Sequence, residues 1–393
     1  MKRIVYLTFY YEPDLCAGSF RNTPLAIELA KQACAKDIIV DVYTTLPNRY
    51  STFEQSAIEF EEFGNLRIHR IALPPHKSGI LDQVFSFRRF YAEVIKLNKN
   101  KSADLVFASS SRLFTAYLGF AIAKKSNSPL YLDIRDIFVD TMNDVFKSKI
   151  LKLGVLPLLK LIEKKTFNYA KHINLISIGF KSYFSKFSKT EFTYFTNGID
   201  EEFLGTTSLA AKAHKAGHKK TIVYAGNIGE GQGLHKIIPQ AAKALGNDFE
   251  FLIIGDGGTK KFLQDEIENL SLSNVVLQKP VTRRDLQGIY SGADYLFIHL
   301  NDYPAFRKVL PSKIFELATF DKPIIAGVAG YAAEFIKNEV SDSFVFDPCN
   351  VEQLLDFLKS DIASNSIDRQ EFKLKHRRSN INNLMAKSIL SYI

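Results

Sequence analysis

The sequence predicts an α/β protein built as two doubly wound domains, on three observations. Strand-like apolar runs alternate with helical runs almost throughout, the pattern that lays parallel strands side by side with helices on both faces. The strand runs are continuously apolar (IVYL near the start, FLII and PIIAGV later), as in sheets covered on both sides. A small, polar, basic stretch without apolar periodicity, 205–220 (GTTSLAAKAHKAGHKK), interrupts the alternation near the middle, and 393 residues suffice for two domains of ordinary size. The domains are accordingly placed at 1–205 and 221–370, with a linker at 206–220 and a C-terminal helix over 371–393.

Runs rich in β-branched and aromatic residues mark first-half strands at 3–9, 38–44, 66–72, 104–108, 130–133, 173–176 and 192–195. The start, MKRIVYLTFYYEPD, has two basic residues but no long apolar stretch or small-residue cleavage site, so it reads as the first strand and not as a signal peptide. Helices fall between strands at 21–35, 113–125 and 149–169. After the linker, TIVYAGN opens a new domain, with strands at 221–225, 249–254, 275–278, 295–299, 323–327 and 344–346. Helices there start near Gly233, Thr259, Arg283, Ser312, Tyr331 and Val351.

Composition narrows the function. A hydrophobic fraction of 46% with 24% charged residues describes a globular chain, not a disordered one. No apolar run approaches the roughly 20 residues needed to span a bilayer; the best stretch, 150–162, contains Lys152 and Lys160. Cys16, Cys34 and Cys349 form no motif, fit a reducing cytoplasm and read as core packing. The eight histidines show no metal-ligand spacing, and no nucleophile elbow or P-loop is present. The net charge of +9 lies wholly in residues 1–200, which hold 28 basic and 19 acidic side chains against 23 of each in 201–393. That asymmetry points to an acidic partner for the first half.

Several short segments carry candidate chemistry. In the first loop, YYEPDLCAGSFR, the small residues Ala17, Gly18 and Ser19 permit close approach of backbone to a ligand, and Arg21 adds positive charge near a helix start. The absence of a G-x-G-x-x-G fingerprint counts against a dehydrogenase. Asp133, Arg135 and Asp136 (DIRD) follow a strand; they either bind acceptor hydroxyls and take a proton, or form a structural ion-pair cluster. Asn197 and Gly198 (NGID) read as a turn.

In GNIGEGQG, four glycines within eight residues (Gly226, Gly229, Gly231, Gly233) let amides crowd an anion, and Gly255, Gly257 and Gly258 repeat the logic one unit later. The most informative segment is 309–335, VLPSKIFELATFDKPIIAGVAGYAAEF. Pro311 and Ser312 open a helix, with Ser312 as N-cap and the free amides behind it as an anion site. Lys313 and Glu316 then share a helix face, suited to a phosphate and a ribose diol; an i,i+3 surface salt bridge is the plainer reading. Residues 145–190 carry ten lysines and one acid, Glu163, interleaved with Phe, Leu and Tyr. This is either a surface for anionic lipid or a solvated helix face, and Arg88, Arg89, Phe85, Phe87 and Phe90 extend it.

Read in order, EPDLCAGS, DIRD, TNGID, YAGNIGEGQGL, IIGDGG and LPSKIFELATFDKPIIAG resemble the bacterial glycosyltransferases of the GT-B fold, in the large family 4 group. The likeness is to the branch of O-antigen and capsule gene clusters, with N-acetyl-L-fucosamine transferases as the model. It covers nearly the whole chain and implies two Rossmann-like domains facing a central cleft, the first binding acceptor and the second the nucleotide-sugar. It places Glu316 on the ribose, Lys313 at the diphosphate, and the two glycine turns at Ala17 and Gly18 and at 226–229, with 384–393 crossing back to the first domain. Two departures stand out. Lys308 occupies the place of a second glutamate eight residues before Glu316, and 229–232 holds no basic residue where relatives carry an Arg and a Lys.

The resemblance implies a retaining, metal-independent transferase, peripheral on the inner face of the cytoplasmic membrane. It moves a sugar from a nucleotide-sugar, expected to be UDP-linked, to a polyprenyl-diphosphate-linked oligosaccharide. No cofactor, metal or nucleic acid is expected. Expected catalytic residues are Lys313 and Asp136; expected donor-binding residues are Glu316, Ser312, Gly226, Asn227, Gly229, Gly255 and Gly18; Arg21 and Arg135 are expected at the acceptor. The rival readings are a sugar-nucleotide epimerase on the same fold and a catalytically silent scaffold in polysaccharide assembly.

Overall fold

The computed structural model describes residues 1–48, 56–74, 80–145, 149–205, 219–360 and 367–393. Most of the expected linker, 206–218, lies outside the described residues. Two compact units form: Met1–Asn197 together with Ser379–Ile393, and Gly198–Arg378.

The first unit is built on eight strands: β1 (Lys2–Leu7), β2 (Ile38–Thr45), β3 (Phe60–Phe63), β4 (Leu66–Ile71), β5 (Leu105–Ser110), β6 (Leu130–Ile134), β7 (His172–Leu175) and β8 (Glu191–Thr193). Their order in the sheet is β3-β4-β2-β1-β5-β6-β7-β8, parallel except for β3, which pairs antiparallel with β4. Burial of β1 explains its apolar run: Ile4 and Tyr6 pack on Leu25, Ala26 and Leu29 of helix Ala17–Cys34, and on Met385, Ala386 and Ile389 near the C-terminus. The order reverses between β1 and β5, so the loops after those strands flank the crevice where open α/β sheets bind ligands.

The second unit holds six parallel strands: β9 (Lys220–Asn227), β10 (Phe249–Asp256), β11 (Val275–Gln278), β12 (Tyr295–His299), β13 (Ile324–Gly327) and β14 (Ser343–Phe346). They run β11-β10-β9-β12-β13-β14, and the reversal falls between β9 and β12. Alternation along β9 divides two cores. Val223 and Ala225 enter one with Leu296, Ile298 and Phe315; Ile222 and Tyr224 enter the other with Ile237, Phe251 and Phe297.

The structure departs from the sequence expectation at several points. The first unit ends at Asn197, not at 205, because Ile199 and Phe203 are buried in the second unit's core and Asp200 pairs with Arg283 and Arg378. A side chain at Gly198 would meet the Arg378 backbone at 2.7 Å, so this turn needs glycine for close approach. The C-terminal segment is two helices, Gln370–Lys375 and Arg378–Leu390, separated where Ile199 bridges Arg377. Strand β3 and helices Ile80–Leu97 and Phe138–Val145 were not expected. The cysteines do not pack the core: Cys34 is exposed at a helix end, and Cys16 and Cys349 are half-buried in loops.

Candidate active site

In the second unit the expected donor residues fall at the C-terminal ends of β9 and β10 and in the segments that follow β9 and β12. The turn after β9 is tied to the one after β10: the Ile228 amide donates to Asp256 O at 2.8 Å, and Thr259 donates to Ile228 O from both its amide and its hydroxyl at 3.0 Å. The two backbones approach so closely that a side chain on Gly255 would fall far inside van der Waals contact of the Gly226 carbonyl. Gln232 and Gly233 donate back to Gly229 O, whereas the amides of Gly229 and Gly231 have no acceptor among the described residues. Those two are the amides this turn can offer to an anion. The Asn227 side-chain amide donates to Gln232 Oε1 at 2.7 Å, a neutral pair.

Positive charge comes from groups the sequence reading did not single out. Lys236 Nζ donates to Asn301 Oδ1 at 2.9 Å, and Asn301 in turn donates to Glu230 O at 2.7 Å, joining the loops after β12 and β9. Lys260 Nζ lies 2.9 Å from Gly255 O. His299, at the end of β12, is buried between Gln232 O (Nδ1, 2.6 Å) and the Cys349 amide, which donates to Nε2 at 2.9 Å. Burial pushes its imidazole down to about 4, so it is neutral, with the proton on Nδ1. Its run YLFIH announces only a strand.

Lys313 and Glu316 meet as expected: Nζ to Oε1 is 2.9 Å, with Nζ also 3.5 Å from the Tyr290 hydroxyl. Glu316 is 12% exposed and Lys313 31%. Burial, then the charge of Glu316, pushes the Tyr290 phenol far up. Ser312 does not act as expected. Its backbone is already helical (φ −61°, ψ −26°) and its side chain caps nothing. The amides of Ile314 and Phe315 are consumed by Pro311 O (3.2 Å) and Ser312 O (3.3 Å), and the helix Lys313–Leu317 has five residues. Behind Ser312 this leaves the Lys313 amide without an acceptor among the described residues, so the expected anion site is reduced rather than built on the whole helix start.

In the first unit the structure separates two arginines expected to act alike. Arg21 is 2% exposed and fully engaged: Nε and Nη2 grip Asp133 at 2.8 Å each, and further donors reach Thr196 O and Phe195 O at 2.8 Å. Asp133 also accepts from Ser109 Oγ and Asn174 Nδ2, both at 2.8 Å. Burial opposes the charge on Asp133, but the Arg21 guanidinium and these donors hold its carboxyl below the usual range. Arg21 is therefore a structural ion pair and not an acceptor ligand, a correction the local sequence could not supply, since its partner lies 112 residues away.

Arg135 is different. Its terminal nitrogens lie 3.1 and 3.2 Å from where a Gly18 side chain would begin, and its buried Nε has no partner. Next to it, Asp136 accepts from Thr141 Oγ1 at 3.1 Å, and burial pushes its carboxyl up to about 6.

A cavity of about 280 Å³ opens beside the ends of β13 and β14, among Val328, Gly330, Lys337 and Asp347; none of the expected site residues lines it. Among the described residues, no group of three His, Cys, Asp or Glu side chains is placed to hold a metal, and no helix is long and apolar enough to cross a membrane.

Residues 206–378 match the family model described as glycosyl transferases group 1. The match coincides closely with the second unit, and on it the protein is an enzyme of the glycosyltransferase class. No curated protein matches the chain by sequence.

Solved structures match over its length. Sucrose-phosphate synthase from Thermosynechococcus elongatus has 11% identity, TM-score 0.67, and coverage of 100% of this chain and 95% of that one. HepE from Anabaena, in complex with UDP, has 16% identity, TM-score 0.65 and full coverage of both chains. WaaG, a glycosyltransferase involved in lipopolysaccharide biosynthesis, has 16% identity, TM-score 0.63, and coverage of 99% and 94%. At these identities the likeness shows the fold, which is GT-B with two Rossmann-like domains.

Proposed function

We propose that the protein transfers a sugar from a UDP-linked donor to a lipid-linked oligosaccharide, with retention and without a metal, at the inner face of the cytoplasmic membrane in O-antigen or capsule synthesis. The observation that carries this reading is the Lys313–Glu316 pair after β12, beside the sheet's reversal point, inside the group 1 domain. Glu316 exchanges its lysine for the ribose hydroxyls, and the released Lys313 stabilises the departing diphosphate together with the amides of Gly229 and Gly231.

The acceptor oxygen bonds to the anomeric carbon as the carbon–phosphate-oxygen bond breaks on the same face. Asp136 is assigned the hydroxyl proton, a role its raised carboxyl suits. HepE with UDP supports the choice of nucleotide, and WaaG the class of pathway.

The membrane part rests on helix Lys149–Tyr169. It buries Leu156, Leu159 and Phe167 yet exposes Leu153 (80%), Leu158 (57%) and Leu161 (49%) beside Lys160, Lys164 and Lys165. Apolar tips within a basic rim suit an anionic lipid surface.

The test is Lys313→Ala. Loss of one charge-stabilising donor lowers turnover by roughly 10²–10³-fold, and unchanged turnover rejects the assignment. The silent-scaffold reading is favoured by Lys308 and by the neutral Asn227–Gln232 pair, and measurable turnover of any nucleotide-sugar removes it. Release of an isomerised nucleotide-sugar without acceptor would instead establish the epimerase.

A further inference from the structure

A buried hydroxyl stands behind the Lys313–Glu316 pair. Tyr290, in helix Arg283–Gly292, is fully buried in the second unit's core. Its ring packs edge-on against Phe320, with centroids 5.2 Å apart, and shares a cluster with Leu286, Ile314 and Leu317. Phenylalanine would fill that space as well, so packing does not account for the hydroxyl. A buried phenol needs a partner for its single proton. The partners here are the two functional side chains: Lys313 Nζ lies 3.5 Å from the oxygen, and the hydroxyl donates to the Glu316 carboxylate. The helix that carries Tyr290 is pinned at its start, where Thr282 accepts from the Asp285 amide at 3.3 Å and Arg283 pairs with Asp200 and Glu202. All of these groups belong to the second unit.

Lys313 and Tyr290 differ in freedom. Lys313 is 31% exposed and can swing towards solvent, whereas Tyr290 is held by its enclosed ring. When Glu316 exchanges Lys313 for the ribose hydroxyls, its carboxylate loses the 2.9 Å contact with Nζ. The phenol is the donor that stays. We propose that Tyr290 is the positioning residue of Glu316: its hydroxyl fixes one side of the carboxylate, so that the other side meets the ribose diol after Lys313 has left for the diphosphate. This rests on the transferase reading and deepens it, by adding a group 23 residues before Lys313 that no motif singles out.

Calorimetric titration of the full-length protein with UDP and with dUDP, its 2′-deoxy counterpart, reads the contact that Glu316 makes. Wild type should prefer UDP by roughly tenfold or more, as expected for a hydrogen bond to an ionised group, and Glu316→Gln should lose most of that preference. Tyr290→Phe, which keeps the ring, should lose most of it too, whereas a purely structural defect weakens both nucleotides alike. Lys313→Met should weaken both nucleotides and keep the preference, because Tyr290 still holds the carboxylate. Should Tyr290→Phe not fold, Lys313→Met decides, and loss of the preference in it overturns the inference. A full preference in Tyr290→Phe beside a lost one in Glu316→Gln also overturns it and leaves the transferase reading standing. If the wild type binds no UDP, or binds both nucleotides equally, the role of Glu316 on the ribose falls, and that of Tyr290 with it.

Discussion

Replacing Arg21 with methionine separates a structural arginine from a substrate-binding one. The substitution keeps most of the side chain's bulk and removes four hydrogen bonds of 2.8 Å, two to Asp133 and two to the carbonyls of Phe195 and Thr196. Asp133 would stay fully buried with only Ser109 and Asn174 as donors. Removing one partner of a buried ion pair costs about 3–5 kcal/mol, because the other charge is left uncompensated.

Urea unfolding followed by circular dichroism measures the loss in Arg21→Met, in Asp133→Asn and in the double variant. The double variant should lose clearly less than the two single losses combined, since the pair is gone in either one. The wild-type contribution also depends on pH. Asp133 titrates below its unfolded value, so the folded state binds fewer protons, and the stabilisation is present above the unfolded value near 4 and lost as pH falls below it. A loss under about 1 kcal/mol, with a weakened acceptor instead, would refute the reasoning and return Arg21 to the substrate.

Other outcomes follow from the same geometry. Gly255→Ala drives a side chain into the Gly226 carbonyl at a positive φ of 151°, so it should cost more than about 4 kcal/mol or give no soluble protein; a wild-type melting temperature would contradict the close approach. Burial holds His172, His299 and His376 down to about 4, so the folded state binds fewer protons than the unfolded one. Stability should then be full above about pH 6.5 and fall towards pH 4, and imidazole NMR shifts titrating near 6.5 would contradict it. Replacing Leu153, Leu158 and Leu161 together with serine should abolish flotation with anionic vesicles while leaving the melting temperature near that of wild type, since all three are exposed. Undiminished flotation would remove this helix from the membrane.

The strands were legible because most are largely buried, apolar-rich runs: 275–278 and 295–299 match to the residue, and the others shift by at most two residues at either end. Strand β3 was hidden because FEEF is short and largely exposed, so it owes its form to pairing with β4 rather than to burial. Helix Ile80–Leu97 was read only as an aromatic, basic surface, and it does bury Phe90 while exposing Phe85.

At the site, Lys313 and Glu316 were legible because i,i+3 spacing on a helix fixes their meeting. The glycine turns were legible as well, since backbone crowding leaves few other residue types possible. Pairings distant in sequence were not: Arg21 with Asp133, Lys236 with Asn301, and His299 with Gln232 are set by strand order, which a string does not display. Ser312 does not cap for a local reason: its backbone is already helical, and the amides of Ile314 and Phe315 go to backbone carbonyls.

Calorimetric titration of UDP, GDP, ADP and dTDP into the wild type and Glu316→Gln, without metal, tests the central claim most directly. The account predicts that UDP binds the wild type and that Glu316→Gln weakens it by roughly tenfold or more, as expected for losing hydrogen bonds to an ionised group. Equal UDP affinity in both proteins, or no nucleotide binding to the wild type, would contradict it.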